Sequence, residues 1–220
     1  MTCLELDNVE YTYSGNSEPL LAGISCTLSA QEFVVLTGSN GSGKSTLARL
    51  IAGLIYPDAG EIRGRRDASN GWNGVALVMQ DPSAQMLTAS VESEIAWGLE
   101  NLAIDHNEIA RRVEAVLRDF GLTDLRKKPP ELLADGESQL VAFAANMVME
   151  PDILILDEAT AYLDLKWRRH IWEAAQEASK RCGVIWITTR EPNHSDLGSI
   201  WRLEGGKLSI SSERPRPLFA

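Results

Sequence analysis

Phe33-Val34-Val35-Leu36-Thr37-Gly38-Ser39-Asn40-Gly41-Ser42-Gly43-Lys44-Ser45-Thr46 reads as a short buried strand running straight into a glycine-rich turn. The run Phe33–Thr37 is apolar, β-branched and too short for a helix. Gly38 to Ser45 matches G-x-x-x-x-G-K-[ST], and the apolar spacing of Thr46–Leu54 predicts a helix behind it. Strand, glycine loop and helix N-terminus in that order form a phosphate cradle. Glycines let the backbone wrap so that its N–H groups converge, and the helix dipole favours an anion. Gly38, Ser39, Asn40, Gly41, Ser42, Gly43 and Thr46 are therefore expected to line the phosphates. Lys44 supplies a point charge to the β- and γ-phosphates, and the Ser45 hydroxyl is a ligand for Mg²⁺. A nucleoside triphosphate is the expected occupant.

Outward from this loop, Val75–Met79, Ile153–Leu156 and Val184–Ile187 read as further buried strands. Between them lie helical stretches. Asp105-x-x-Glu108 has the form of a capping box, followed by an apolar face of Ile109, Val113, Val116, Leu117 and Phe120, with Gly121 closing the helix. Residues 138–149 predict a second helix stopped by Pro151, and 166–180 a third. Strands alternating with helices imply an α/β fold on a mainly parallel sheet. Leu4, Leu6, Val9, Tyr11 and Tyr13, then Leu20 to Leu28, suggest antiparallel strands before the first α/β unit. The segment from about 81 to 148 carries no strong strand and is expected to be an inserted helical subdomain. Residues 1–210 are expected to form one domain and 211–220, with two prolines, a loose tail.

The 220 residues are 44% hydrophobic and 24% charged, ordinary for a globular chain, so readings as a disordered or collagen-like chain fail. A net charge of -10 disfavours sequence-independent binding to a nucleic-acid backbone, and no nucleic-acid partner is expected. Three scattered cysteines, Cys3, Cys26 and Cys182, argue against a disulfide framework or a zinc site. The acidic N-terminus does not read as a signal peptide, and the apolar runs fall far short of the ~18 residues that span a bilayer. Any membrane contact must come through a partner.

A second constellation sits at the end of Ile153-Leu154-Ile155-Leu156-Asp157-Glu158, a buried strand delivering two carboxylates at its C-terminal edge, where open α/β sheets bind ligands. Asp157 is a candidate Mg²⁺ ligand and Glu158 a candidate general base for an attacking water. These two motifs, in this order, resemble the ATP-binding subunit of an ABC transporter. The resemblance covers nearly the whole chain and implies the ABC-ATPase version of the P-loop NTPase fold. It further implies that Tyr13 stacks on adenine, with Tyr11 the competing candidate, and that Gln80 is the glutamine contacting Mg²⁺ and water. Asp164, in Ala161-Tyr162-Leu163-Asp164, would reach across a dimer, and Ile200–Leu208 would form a closing hairpin. The stretch from Gln80-Asp81-Pro82-Ser83-Ala84-Gln85-Met86 through Val91–Ile95 to Asn101 resembles the energy-coupling factor (ECF) type, importers of vitamins or transition metals. Gln85 would open a helix lining the groove for a transmembrane subunit, with Trp97 in the same stretch.

Two expected motifs are altered. Where the family has Leu-Ser-Gly-Gly-Gln, this chain has Leu133-Ala134-Asp135-Gly136-Glu137. In the family this signature grips the γ-phosphate of ATP held by the opposite subunit, so Gly136 is retained as a candidate contact. Ala134 lacks the hydroxyl, and Asp135 and Glu137 bring negative charge toward an anion. At ~5 Å and an effective dielectric of ~20, each such charge pair costs roughly 3 kcal/mol. The switch histidine is replaced as well: Val184–Ile187 leads to Thr188-Thr189-Arg190, with Thr189 at the histidine's place and His194 too far along.

The resemblance thus implies an ATP-hydrolysing energy subunit of an importer, at the cytoplasmic face of the membrane. Its catalytic residues would be Lys44, Gln80 and Glu158, its metal ligands Ser45, Gln80 and Asp157, and its cofactors ATP and Mg²⁺. Its partners would be a transmembrane subunit and a second ABC ATPase. An intact phosphate loop beside a defective signature favours an asymmetric heterodimer. A regulatory subunit with little turnover and a soluble ABC ATPase of iron–sulfur assembly or DNA repair are the competing readings.

Overall fold

The computed structural model describes residues 2–64, 66, 71–82, 86–189 and 199–211. In chain order its strands are β1 (Thr2–Tyr11), β2 (Leu21–Ser29), β3 (Phe33–Thr37), β4 (Ala59–Arg63), β5 (Val75–Val78), β6 (Ile153–Asp157), β7 (Gly183–Thr188), β8 (Ser199–Glu204) and β9 (Lys207–Ser211). The helices are α1 (Lys44–Ala52), α2 (Val91–Asn101), α3 (His106–Asp119), α4 (Asp135–Met147) and α5 (Leu165–Ala178). One sheet is antiparallel, in the order β2-β1-β4, and the other runs β5-β6-β7-β3-β8-β9, parallel except for the closing β8–β9 hairpin. The fold is α/β, as the strand and helix pattern predicts.

Alternation along the central strands divides the core in two. Phe33 and Val35, Leu154 and Leu156, Val184 and Trp186 face α5 and the helices α2 to α4. Val34 and Leu36, Ile153 and Ile155, Ile185 and Ile187 face α1 and the antiparallel sheet. Strands buried on both faces need apolar residues at every position, and this makes them legible as short continuous runs. Each fully buried Leu, Ile or Val side chain contributes on the order of 1.5–3 kcal/mol. Cys26 and Cys182 are buried among these residues, and burial pushes both thiols up to about 12.

Several boundaries move. The helix expected over 138–149 begins earlier, at Asp135, so the altered signature lies in its first turn. β4 carries no sequence signal: four of its five residues, Ala-Gly-Glu-Ile-Arg, are exposed. The Asp105-x-x-Glu108 box forms only in half. Asp105 accepts from Asn107 N at 2.9 Å and caps α3, but Glu108 turns to Arg111 and Arg112, which hold its carboxyl down at about 2. Ser211, assigned to the tail, ends β9; residues 212–220 lie outside the described ones.

Candidate functional site

The phosphate loop leaves β3 at Gly38 and enters α1 at Lys44. Gly38 is required by close approach: its φ is 154°, and a Cβ there would collide with the Leu203 carbonyl of β8. Lys44 is only 5% exposed, and its Nζ donates to the carbonyls of Gly38 and Ser39, both at 3.0 Å. The ammonium is thus held at the mouth of the loop by two neutral acceptors, and its charge is left for an anion. Ser42 Oγ is buried and has no hydrogen-bond partner among the described residues. A buried unsatisfied hydroxyl costs about 1–3 kcal/mol, and this one lies beside Gly38, where a Cβ at 38 would meet it at 2.9 Å.

β6 lies two strands from β3, and its last residue, Asp157, still reaches the loop: Ser45 Oγ donates to Asp157 Oδ1 at 3.1 Å. Burial pushes the Asp157 carboxyl above the ordinary range, against the opposing pull of Ser45, Arg49 and Lys44. Two hard oxygen donors in contact, one of them a carboxylate that a cation would relieve, are a donor set suited to Mg²⁺. Glu158 adopts φ +51°, a left-handed conformation that costs a non-glycine residue on the order of 1 kcal/mol. It is pinned there by its N–H to Ile187 O and by its own carbonyl, which accepts from Ala161 N. A cavity of about 300 Å³ brings together Tyr13, Asn40, Lys44, Ser45, Thr46 and Glu158.

On the base side, Tyr13 is partly exposed, with its hydroxyl 3.0 Å from Thr46 Oγ1 in the first turn of α1. Tyr11 packs edge-on to it, with centroids 5.1 Å apart, and leans on the core. Of the two candidates, Tyr13 is the one lining the cavity. Gln80 lines a neighbouring cleft with Asp135, Gln139 and Tyr162, at the start of α4. Gln139, almost fully buried, donates to Met79 O at 3.2 Å and ties α4 to the end of β5.

The signature edge is arranged differently. Ala134 is the N-cap of α4 and provides no side-chain cap. Glu137 does not project as a free charge toward a ligand, as its position in sequence suggested. Its Oε2 accepts from Ala134 N at 3.0 Å and from Lys128 Nζ at 2.9 Å, which together hold its carboxyl below the usual range. The repulsion expected from two carboxylates therefore reduces to Asp135, which is exposed. Lys128 is accordingly a paired cation. Gly136 is buried beneath the Trp167 indole, and a methyl group at 136 would enter the ring. Asp164 caps α5, accepting from Trp167 N at 2.9 Å, and Arg168 Nε donates to Leu163 O at 2.6 Å. Thr189, just beyond β7, lines a cavity of about 450 Å³ together with Glu158 and Arg168. Gln85, Arg190 and His194 lie outside the described residues.

Near the segment after Gln80, a groove is lined by Trp72, Met86, Glu94, Trp97 and Met149. Trp97 is 43% exposed there, and Leu87, next in the chain to Met86, is 71% exposed. Glu94 is a positioning residue that sequence reasoning missed. It is 7% exposed, and its Oε2 accepts from Leu87 N and Thr88 N at 3.0 and 2.9 Å, fixing the backbone that follows Met86. A glutamate within an apolar stretch was the signal that could have revealed it. No helix among the described residues is long and apolar enough to cross a membrane.

The ABC transporter family model matches residues 21–161. The chain is 34% identical to the energy-coupling factor transporter ATP-binding protein EcfA1 of Enterococcus faecalis, over 99% of this chain and 81% of that one. It is also 35% identical to an ABC transporter ATP-binding protein of Bifidobacterium longum, matching 92% of this chain but spanning only 28% of that longer protein. Among solved structures it superposes on cbiO1 of Clostridium perfringens, described as part of the ABC transporter complex cbiONQ. The TM-score is 0.82 and the identity 30%, over 96% of this chain and 88% of that one. With the phosphate loop, the Ser45–Asp157 contact and the helical insertion on a shared framework, the chain belongs to the ABC transporter ATPases, in the group of energy-coupling factor transporter ATP-binding subunits.

Proposed function

We propose that this chain is the energy subunit of an ECF-type importer, that it binds MgATP at the loop centred on Lys44, and that it works as one half of an asymmetric ATPase pair. The observation that carries the reading is the contrast between two edges of one molecule. Lys44 resting on two loop carbonyls and Ser45 meeting Asp157 support the reading of a triphosphate cradle. Ala134 and Thr189 stand where the family's signature serine and switch histidine belong.

In this mechanism the loop N–H groups and Lys44 neutralise the β- and γ-phosphates, and Tyr13 presents its ring to the adenine. Ser45 and Asp157, together with Gln80, would hold Mg²⁺, which would supply charge neutralisation to the phosphates. Glu158, held by the backbone at the end of β6, orients and deprotonates the attacking water. Gly136 and Asp164 would face the partner ATPase, whose own signature would close over this chain's nucleotide. The groove beside Trp97 would receive a helix of a transmembrane subunit, which would place the chain at the cytoplasmic face of a membrane. The transported solute would be a vitamin or a transition metal ion.

Calorimetry on the full chain is expected to detect MgATP binding, and turnover by the chain alone is expected to be slow. Robust hydrolysis by this chain as a homodimer would sink the asymmetric pairing. No heat of association at millimolar nucleotide would sink the whole reading. The altered signature and Thr189 also favour a second reading, a nucleotide-holding regulatory subunit. That reading gains if Glu158→Gln leaves transport by the assembled complex unchanged.

A further inference from the structure

The segment that presents Tyr13 is anchored at a place the nucleotide motifs do not include. β1 pairs with β4 as far as Glu10 opposite Ala59, and Asp58 N continues the ladder to Glu10 O at 2.9 Å. There the ladder ends, because Pro57 has no N–H to donate. The next free backbone donor on this edge, Thr12 N, is taken up by a side chain instead: Asp58 Oδ2 accepts from it at 2.6 Å. A carboxylate accepting a backbone N–H makes a short charge-assisted bond, stronger than a neutral one. The chain then turns out of the sheet, with Asn16 N donating to Tyr13 O and Leu20 N to Tyr11 O closing the base of the loop.

Asp58 lies six residues beyond the end of α1, the helix whose first turn holds Lys44, Ser45 and Thr46. The Tyr13 hydroxyl meets Thr46 in that first turn. The aromatic segment is therefore indexed to both ends of the phosphate helix: through Tyr13 to its start, and through Thr12 and Asp58 to the chain that leaves its end. Tyr13 itself is 38% exposed and has little core packing to fix it.

We infer that Asp58 is a positioning residue for nucleobase recognition: its carboxylate holds the 12–20 loop so that Tyr13 stands at a set distance from the phosphate cradle. The inference deepens the reading of the Lys44 site and rests on Tyr13 being the ring that meets the base. It separates the contribution of the base from that of the phosphates. Asp58 touches neither, and it acts only through the backbone at Thr12.

The test is calorimetry on the full chain with two probes in Mg²⁺ buffer, ATP and inorganic tripolyphosphate. Asp58→Ala is expected to weaken ATP binding about three- to tenfold and to leave tripolyphosphate within twofold of the parent. Asp58→Asn keeps an acceptor for Thr12 N and is expected to restore ATP binding to within about twofold. In a Tyr13→Ala background, Asp58→Ala should add nothing further. Equal weakening of both probes by Asp58→Ala would mark general structural damage and overturn the inference, as would unchanged ATP affinity beside a weakened Tyr13→Ala variant. If Tyr13→Ala itself leaves the ATP-to-tripolyphosphate ratio unchanged, the base-binding reading of Tyr13 fails and the inference falls with it.

Discussion

The phosphate-loop edge and the signature edge of this molecule spend their polar groups in opposite ways. At the loop, polar groups are left with capacity to spare: Lys44 rests on two neutral carbonyls, and Asp157 is partly buried with its carboxyl pushed up. At the first turn of α4 they are consumed internally. Glu137 is engaged through Oε2 by Lys128 and the Ala134 N–H, Asp164 caps its own helix, and the Trp167 ring fills the space above Gly136. A surface built to take a ligand keeps unsatisfied donors, whereas a surface that satisfies itself has less to offer one. The difference teaches that an altered motif can still be ordered: Glu137 is tied to Lys128 and to the Ala134 N–H, and Gly136 is packed under Trp167.

The contrast can be broken most directly at its strong end. Lys44→Ala is expected to weaken MgATP binding by about 100-fold or more in calorimetry, because it removes the buried cation of the loop proposed to meet the phosphates. Glu158→Gln should lower ATP turnover of the assembled pair about 10²–10⁴-fold with affinity nearly unchanged, as loss of a general base does. A comparable loss of affinity would instead make Glu158 a binding residue. At the other edge, Gly136→Ala should destabilise the chain by about 1–3 kcal/mol in thermal melts, through overpacking against Trp167. Most of that cost should vanish in a Trp167→Ala background, and a neutral Gly136→Ala would show that the ring does not constrain the turn. Ala134→Ser should stabilise by about 1 kcal/mol, since a hydroxyl at the N-cap completes a box with Glu137.

The smallest effect is pH-dependent. Because the folded-state carboxyl of Glu137 lies below its unfolded value, its pairing stabilises the fold above the ordinary carboxylate range. That contribution is lost as pH falls through the lowered folded value. Glu137→Gln should therefore cost about 0.5 kcal/mol at pH 7 and progressively less on acidification, measured as the difference in melting temperature from the parent.

Much of this was legible in the sequence because it is local. Phe33–Thr37, Ile153–Asp157 and Gly183–Thr188 are apolar at almost every position because both their faces are covered. The glycine loop and the Asp157–Glu158 pair carry their chemistry within a few residues. What stayed hidden is non-local or exposed. β4 is held by pairing to β1 and not by its own apolar content. Trp167 meets Gly136 across two helices, and Asp58 meets Thr12 from 46 residues away. Glu108 kept the spacing of a box but chose two arginines, since a cationic partner outbids a backbone amide. The opposite choice by Glu137, which keeps both, could not have been read from spacing alone.

β3 is flanked in the sheet by β7 and β8, and neither is encoded before residue 183. The strand that delivers Gly38 to Thr46 therefore lacks both of its sheet neighbours on the ribosome until residues beyond 183 are made, however early its own residues emerge. Its hydrogen-bond ladder closes only once β7 and β8 are delivered, the kind of long-range pairing that slows maturation. A truncated nascent chain that lacks β7 and β8 would thus carry every letter of the nucleotide motif and yet have no rigid edge from which to hold it.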